Sequence, residues 1–264
     1  MTRAITFVAA VAVYATSATT VAQGPALPIE QPPVGVAGEA RPVNSLGYAV
    51  QTEQARAAGL APAVLDLALS AVACGVSRGD LEAPPTLTVI DYSRPSTVPR
   101  LWVFDLQSGA LLFSELVAHG QHTGENLAER FSDILESRQS SLGLFVTANT
   151  YVGRNGYSLR LDGLEPGFNA RARERAIVMH GAPYVSTELA ARQGRLGRSW
   201  GCPALRDAVA RELIDTIRDG GVVFSYYPDR GWLDRSRFLN CPPSLEQAPQ
   251  HPGGLLVHLH ALGQ

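Results

Sequence analysis

Cysteine is scarce in this chain of 264 residues, and one of its three copies, Cys202, stands in the phrase GRSWGCPAL at residues 197–205. A thiolate is a strong nucleophile, but a free thiol is mostly protonated near neutral pH. It needs an imidazole, a positive charge or a helix N-terminus beside it. The phrase AIVMHGAPYVS, residues 176–186, supplies an imidazole in His180. Arg195 and Arg198 add positive charge, and a helix starting just after Cys202 turns its N-terminal dipole towards the anion. Gly201 lets the backbone turn tightly, so the amides of Trp200, Gly201 and Cys202 are candidates to hold an oxyanion, and Pro203 stiffens the exit. His180 also needs an acceptor for its second ring nitrogen. Its neighbours are Met179 and Gly181, so a backbone carbonyl near Gly181 is the candidate orienter. Taken singly, a cysteine or a histidine is more often structural; the two phrases together point to nucleophilic chemistry.

The elements that position these residues follow from apolar periodicity. Residues 62–76 place Leu65, Leu69, Val72 and Val76 on one stripe and Leu67, Ala71 and Cys74 on another, which predicts a well-covered helix. From Thr86 the period changes. TLTVIDY, RLWVFDL, ALLFSELVAHG, LGLFVTANTYV, YSLRL, RAIVMHG and GVVFSYY read as strands, with His180 near the end of one of them. Leu205, Val209, Leu213 and Ile217 recur every four residues and predict a helix that Asp207 favours at its start and Gly220-Gly221 stops. The fold class is mainly β with a few helices (α+β). The expected organisation is a signal peptide over 1–22, a Pro/Gly/Ala-rich linker over 23–45, a helical segment over 46–85, a catalytic domain over 86–228 and an irregular tail over 229–264.

Arg3, the apolar run 5–14 and the small residues after it read as an export signal, too short to stay as a membrane span. The expected location is the periplasm, with no membrane anchor. A formal net charge of -2 gives no case for a nucleic-acid partner. In an oxidising compartment three cysteines make an odd set. One bridge plus one free thiol is one solution, with Cys74 paired to Cys241 if Cys202 is free. Three reduced, packed thiols are the other.

VMHGAPYVS and GRSWGCPAL together resemble the active-site signature of the L,D-transpeptidase (YkuD-type) family, and more closely its murein L,D-transpeptidase catalytic domain branch. VAHG at 117–120, SSLGLFVT at 140–147 and SLRLDGLEPG at 158–167 match that branch in order, so the resemblance runs from about Leu87 to Pro228. It implies a β-sandwich-like catalytic domain with Cys202 as nucleophile, His180 as base and Gly181 beside the carbonyl that orients it. Ser199 and Gly201 match the residues that precede the family's cysteine. Trp200, Gly201, Ser199, Arg198, Tyr184, His119 and Ser141 are the residues expected to line the oxyanion and substrate site. The family usually carries histidine where this chain has Trp200, and asparagine or arginine where it has Ala204; Arg198 or Arg206 is the expected replacement for the lost polar group. The implied partners are peptidoglycan stem peptides, with carbapenem-type β-lactams as inhibitors and no cofactor.

Two other readings use the same residues. His119, His122 and His180 are a conceivable zinc set for a peptidase, although no HExxH motif accompanies them. Tyr151, Tyr157, Tyr184 and Trp200 suit a non-catalytic domain that stacks on wall glycans.

Overall fold

Alternation along the apolar runs sorts their side chains between two cores. In the computed structural model, which describes residue 50 and residues 52–241, strand β1 (Thr86–Asp91) turns Leu87 and Val89 to one core and Ile90 to the other. The first core lies under α2 (Pro62–Ser77), whose Val64, Leu65, Ala68, Leu69 and Val72 are buried, with α1 (Thr52–Ala57) beside it. Pro62 opens α2, where its missing N–H costs nothing.

The remaining strands are β2 (Leu101–Asp105), β3 (Leu111–Glu115), β4 (Val117–Ala118), β5 (Gly143–Gly153), β6 (Gly156–Gly163), β7 (Val178–Gly181), β8 (Ala204–Leu205) and β9 (Val222–Tyr226). They form one mixed sheet in the order β3-β2-β1-β9-β5-β6-β7-β8-β4. Its two edge strands, β3 and β4, are separated in the chain by Leu116 alone. The sheet therefore curls until its edges meet, and this gives the sandwich-like layering. Helix α3 (Thr187–Gln193) precedes β8, and α4 (Asp207–Ile217) packs Ala210, Leu213, Ile214 and Ile217 into the second core.

Three sequence expectations are corrected. Leu205 does not belong to the helix: it sits on β8 opposite Val117, and α4 starts at Asp207. The four-residue recurrence ran on through a strand residue because both positions are apolar. Val209 is only partly buried, and Ala210 and Ile214 join Leu213 and Ile217 on the face that packs. The tail is not irregular where it is described. Arg230–Leu233 form α5, capped by the Asp229 carboxylate, and Trp232 is fully buried with its Nε1–H 3.2 Å from Glu165 Oε2.

Cys74 on α2 is bonded to Cys241, which ties the helical segment to the end of the described chain, and Cys202 is free. The expected signal peptide (1–22), the linker (23–45) and the tail beyond 241 lie outside the described residues. Among the described residues no helix is long and apolar enough to cross a membrane.

Candidate active site

β7 and β8 run parallel, with His180 opposite Ala204 and Gly181 opposite Leu205. The strand that carries the imidazole thus lies directly beside the segment that carries Cys202. The sulfur is held at the entry to β7: Sγ accepts from the Val178 amide at 3.5 Å and donates to the Ala176 carbonyl at 3.7 Å. Ala176 has φ +52°, in the left-handed region that a residue with a Cβ enters only at a cost. This turn aims the carbonyl of residue 176 and the amide of residue 178 at one atom.

The Gly181 carbonyl lies 2.7 Å from His180 Nδ1. A carbonyl only accepts, so Nδ1 carries the proton and Nε2 is left with its lone pair. Burial lowers the His180 pKa, with the Gly181 carbonyl and Asp207 acting the other way. Burial likewise raises the Cys202 thiol, against the Val178 amide and Arg175. The thiol and the imidazole are therefore both neutral at rest: the thiol donates to the Ala176 carbonyl, and among the described residues His180 Nε2 has no hydrogen-bond partner. A neutral imidazole that keeps the lone pair on Nε2 has the form of a general base.

The cation near the sulfur is Arg175, not Arg195 or Arg198. Its guanidinium is almost fully buried and donates to the Ser132 and Gln139 carbonyls, both at 2.6 Å, to Ser141 Oγ at 2.5 Å and to Ser137 Oγ at 3.1 Å. Sequence reasoning missed it, because nothing in the run RAIVMHG distinguishes this arginine from the others. Arg195 and Arg198 both bridge to Glu125, at 2.9 and 2.6 Å, and Arg198 also donates to the Gln121 and Gly124 carbonyls. Arg206 forms a two-pronged pair with Glu115. Neither Arg198 nor Arg206 is therefore free to replace a substrate-binding group. Ser141 is buried and spent on Arg175 and the Ser132 carbonyl, so it does not face substrate either.

The Cys202 loop is fastened from behind. Ser199 Oγ donates to the Cys202 carbonyl at 2.6 Å and accepts from the Gly201 amide at 3.1 Å. This removes Gly201 from the expected set of oxyanion donors. Among the described residues the Trp200 amide has no acceptor, and it remains a candidate together with the amide of Cys202. Ser140 Oγ, the acceptor for the Gly120 amide, donates to the Gly201 carbonyl at 3.1 Å. Gly201 has φ +121°, and a Cβ there would meet the Gln139 carbonyl at 2.7 Å, so only glycine fits. Trp200 is 64 % exposed. Tyr184 is half-buried near the sulfur, and burial pushes its phenol up to about 12.

α4 begins at Asp207, five residues after Cys202. Its first turn lies against Gly181, where a Cβ would meet Asp207 Oδ1 at 2.7 Å. Asp207 is the acid nearest to the imidazole that the sequence neighbours of His180 do not reveal.

His119 is wholly interior. Arg100 donates to its Nδ1 at 2.8 Å, and its Nε2 lies 3.3 Å from the Gly124 carbonyl, so both ring nitrogens are in use. His122 bonds the Ser137 carbonyl through Nδ1. Among the described residues no group of three His, Cys, Asp or Glu side chains is placed to hold a metal ion. His119 supports the loop instead: its carbonyl accepts from the Ser199 amide at 2.9 Å.

A family model for the L,D-transpeptidase catalytic domain matches residues 56–226, more than half of the chain. No curated protein matches. Among solved structures, the chain is similar to an L,D-transpeptidase from Mycobacterium smegmatis at 15% identity, covering 54% of this chain and 59% of that one with a TM-score of 0.35. An L,D-transpeptidase from Stackebrandtia nassauensis shows 15% identity over 66% and 71% of the two chains with a TM-score of 0.32. L,D-transpeptidase 3 from Mycobacterium tuberculosis, solved with a faropenem-derived adduct, shows 16% identity over 55% and 61% with a TM-score of 0.33. The chain thus spans less than two thirds of the length of the first of these. Residues 56–226 contain the paired strands that carry His180 and the loop that carries Cys202, and on that match the chain belongs to the L,D-transpeptidase catalytic-domain family.

Proposed function

We propose that this protein joins peptidoglycan stem peptides through a thioester on Cys202. The observation that supports the reading is the Gly181 carbonyl 2.7 Å from His180 Nδ1: it favours the proton on Nδ1 and leaves Nε2 to serve as the base, on the strand that pairs with the end of the Cys202 segment. In the first half-reaction the thiol proton passes to Nε2 as sulfur bonds to the donor carbonyl. The imidazolium then protonates the departing amine as the C–N bond breaks. In the second, the amine of a diaminopimelate side chain attacks the thioester, gives its proton to His180, and releases the sulfur. The developing oxyanion is met by the amides of Trp200 and Cys202. The donor carbonyl belongs to diaminopimelate or to L-alanine of the donor stem. A carbapenem-type β-lactam acylates the same thiol.

The compartment fitting this chemistry is the periplasm, reached through the signal over residues 1–22. The Cys74–Cys241 bridge is consistent with that oxidising location.

Purified protein incubated with sacculi, followed by mass spectrometry of muropeptides, tests the reading. New crosslinked species with native protein and none with Cys202→Ser support it, and their masses identify donor and acceptor. Shortened stems without crosslinks would instead assign water as the acceptor. Activity that survives in Cys202→Ser and disappears in chelator would overturn the thiol mechanism.

A further inference from the structure

An open cleft of about 580 Å³ lies beside the nucleophile loop, lined by Leu135, Glu136, Arg138, Glu174, Arg175 and Trp200 among others. Two of its cations behave differently. Arg175 spends its donors inside the protein. The Arg138 guanidinium makes no hydrogen bond or ion pair among the described residues; it lies over the Trp200 ring, 4.6 Å from its centroid. The ring holds the cation by its π face and leaves the N–H fork uncommitted.

The backbone beneath Arg138 is built for this presentation. Glu136 and Arg138 both have positive φ, +56° and +55°, within one short turn. Such conformations persist where surrounding contacts enforce them, and here they do. The Arg138 carbonyl accepts from the His122 amide, while Arg175 holds Ser137 Oγ and the Gln139 carbonyl on either side. Glu174 is occupied by Arg171 at 2.9 Å and does not compete for the fork.

We infer that Arg138, stacked on Trp200, is a specificity-determining residue that binds a carboxylate of the peptide substrate beside Cys202. The inference rests on the transpeptidase reading above and deepens it. A planar guanidinium grips a carboxylate through two parallel N–H···O bonds, and the indole restricts it beforehand, so little side-chain freedom is lost on binding. Two substrate carboxylates have this chemistry: the C-terminal one on the donor stem, and the one beside the attacking amine on the acceptor.

The experiment separates these sources. The full chain is given a synthetic donor stem ending in a carboxylate or a carboxamide, and thioester formation is followed by intact mass. Preloaded thioester is then offered D-alanine or D-alaninamide as the amine, and transfer is timed. Native protein is expected to favour the carboxylate about ten-fold or more in one of the two half-reactions. Arg138→Gln is expected to erase that preference without moving the thermal midpoint, Arg138→Lys to keep only part of it, and Trp200→Ala to weaken it more than Trp200→Phe. The half-reaction in which the preference vanishes names the carboxylate that is bound. A preference that survives intact in Arg138→Gln, or native protein that shows none in either step, overturns the inference while leaving the transpeptidase reading in place. Native protein that forms no thioester with any stem overturns both.

Discussion

Acidification should unlatch this protein through His119. The imidazole is 1 % exposed, and Arg100, itself fully buried, donates to its Nδ1. A second proton on that ring would be set against a guanidinium with no water between them. Burial, and after it the Arg100 charge, lower the His119 pKa from 6.5 to about 3. A depressed folded pKa means that the unfolded chain takes the proton first. The contribution is fully present above about pH 6.5 and is lost as pH falls towards the folded value. At about pH 4.5 the loss spans two pH units below the unfolded pKa, which is about 2.7 kcal/mol from this one residue. That is a large share of the roughly 5–15 kcal/mol that holds a domain together. Urea unfolding followed by tryptophan fluorescence, at about pH 7 and about pH 4.5, measures it in native protein and in His119→Asn. Asparagine keeps an acceptor near the Nδ1 position and does not titrate. The variant is expected to be weaker at neutral pH and to lose about 2–3 kcal/mol less than native protein on acidification. Carboxylates and His180 titrate in both proteins and cancel in the difference. Equal acid losses in the two would refute the reasoning.

Two other perturbations have defined outcomes. Gly120→Ala drives a methyl to 2.4 Å from the Arg138 carbonyl and 2.9 Å from the Gly201 Cα, and backbone atoms cannot step aside. Strain of about 1–3 kcal/mol is expected from such overpacking, together with slower alkylation and lower kcat as the Cys202 loop shifts; an unchanged alkylation rate would contradict it. Replacing Cys74 and Cys241 with alanine removes the only bridge among the described residues, and a loss of about 2–5 kcal/mol is expected in the same urea assay. The thiol chemistry of the variant that remains folded should be unaltered, checked by intact mass after iodoacetamide.

The strands and α2 were legible because their apolar residues keep one period from end to end. A carbonyl opposite His180 was legible because its chain neighbours offer no acid. Charge partners were not. Arg175, Arg195, Arg198 and Arg206 look alike along the chain, and only the folding of residues 120–141 over the Cys202 loop decides which guanidinium lies near the sulfur. Gly201 illustrates a subtler limit. Its type predicts a tight turn, but whether its amide faces a ligand or the Ser199 hydroxyl depends on one side-chain torsion. Leu205 was assigned to a helix because periodicity counts apolar positions and does not see the strand partner, Val117, that claims this one. Trp232 went unplaced because a single turn of helix has no period to detect.

The bridge between residues 74 and 241 encloses every group discussed as catalytic. A protease that nicks the exposed turn at Ile134 therefore yields two pieces that stay covalently joined, with Arg100 and His119 on one and Arg175, His180 and Cys202 on the other. Such a clipped molecule would run as a single band until a reducing agent is added.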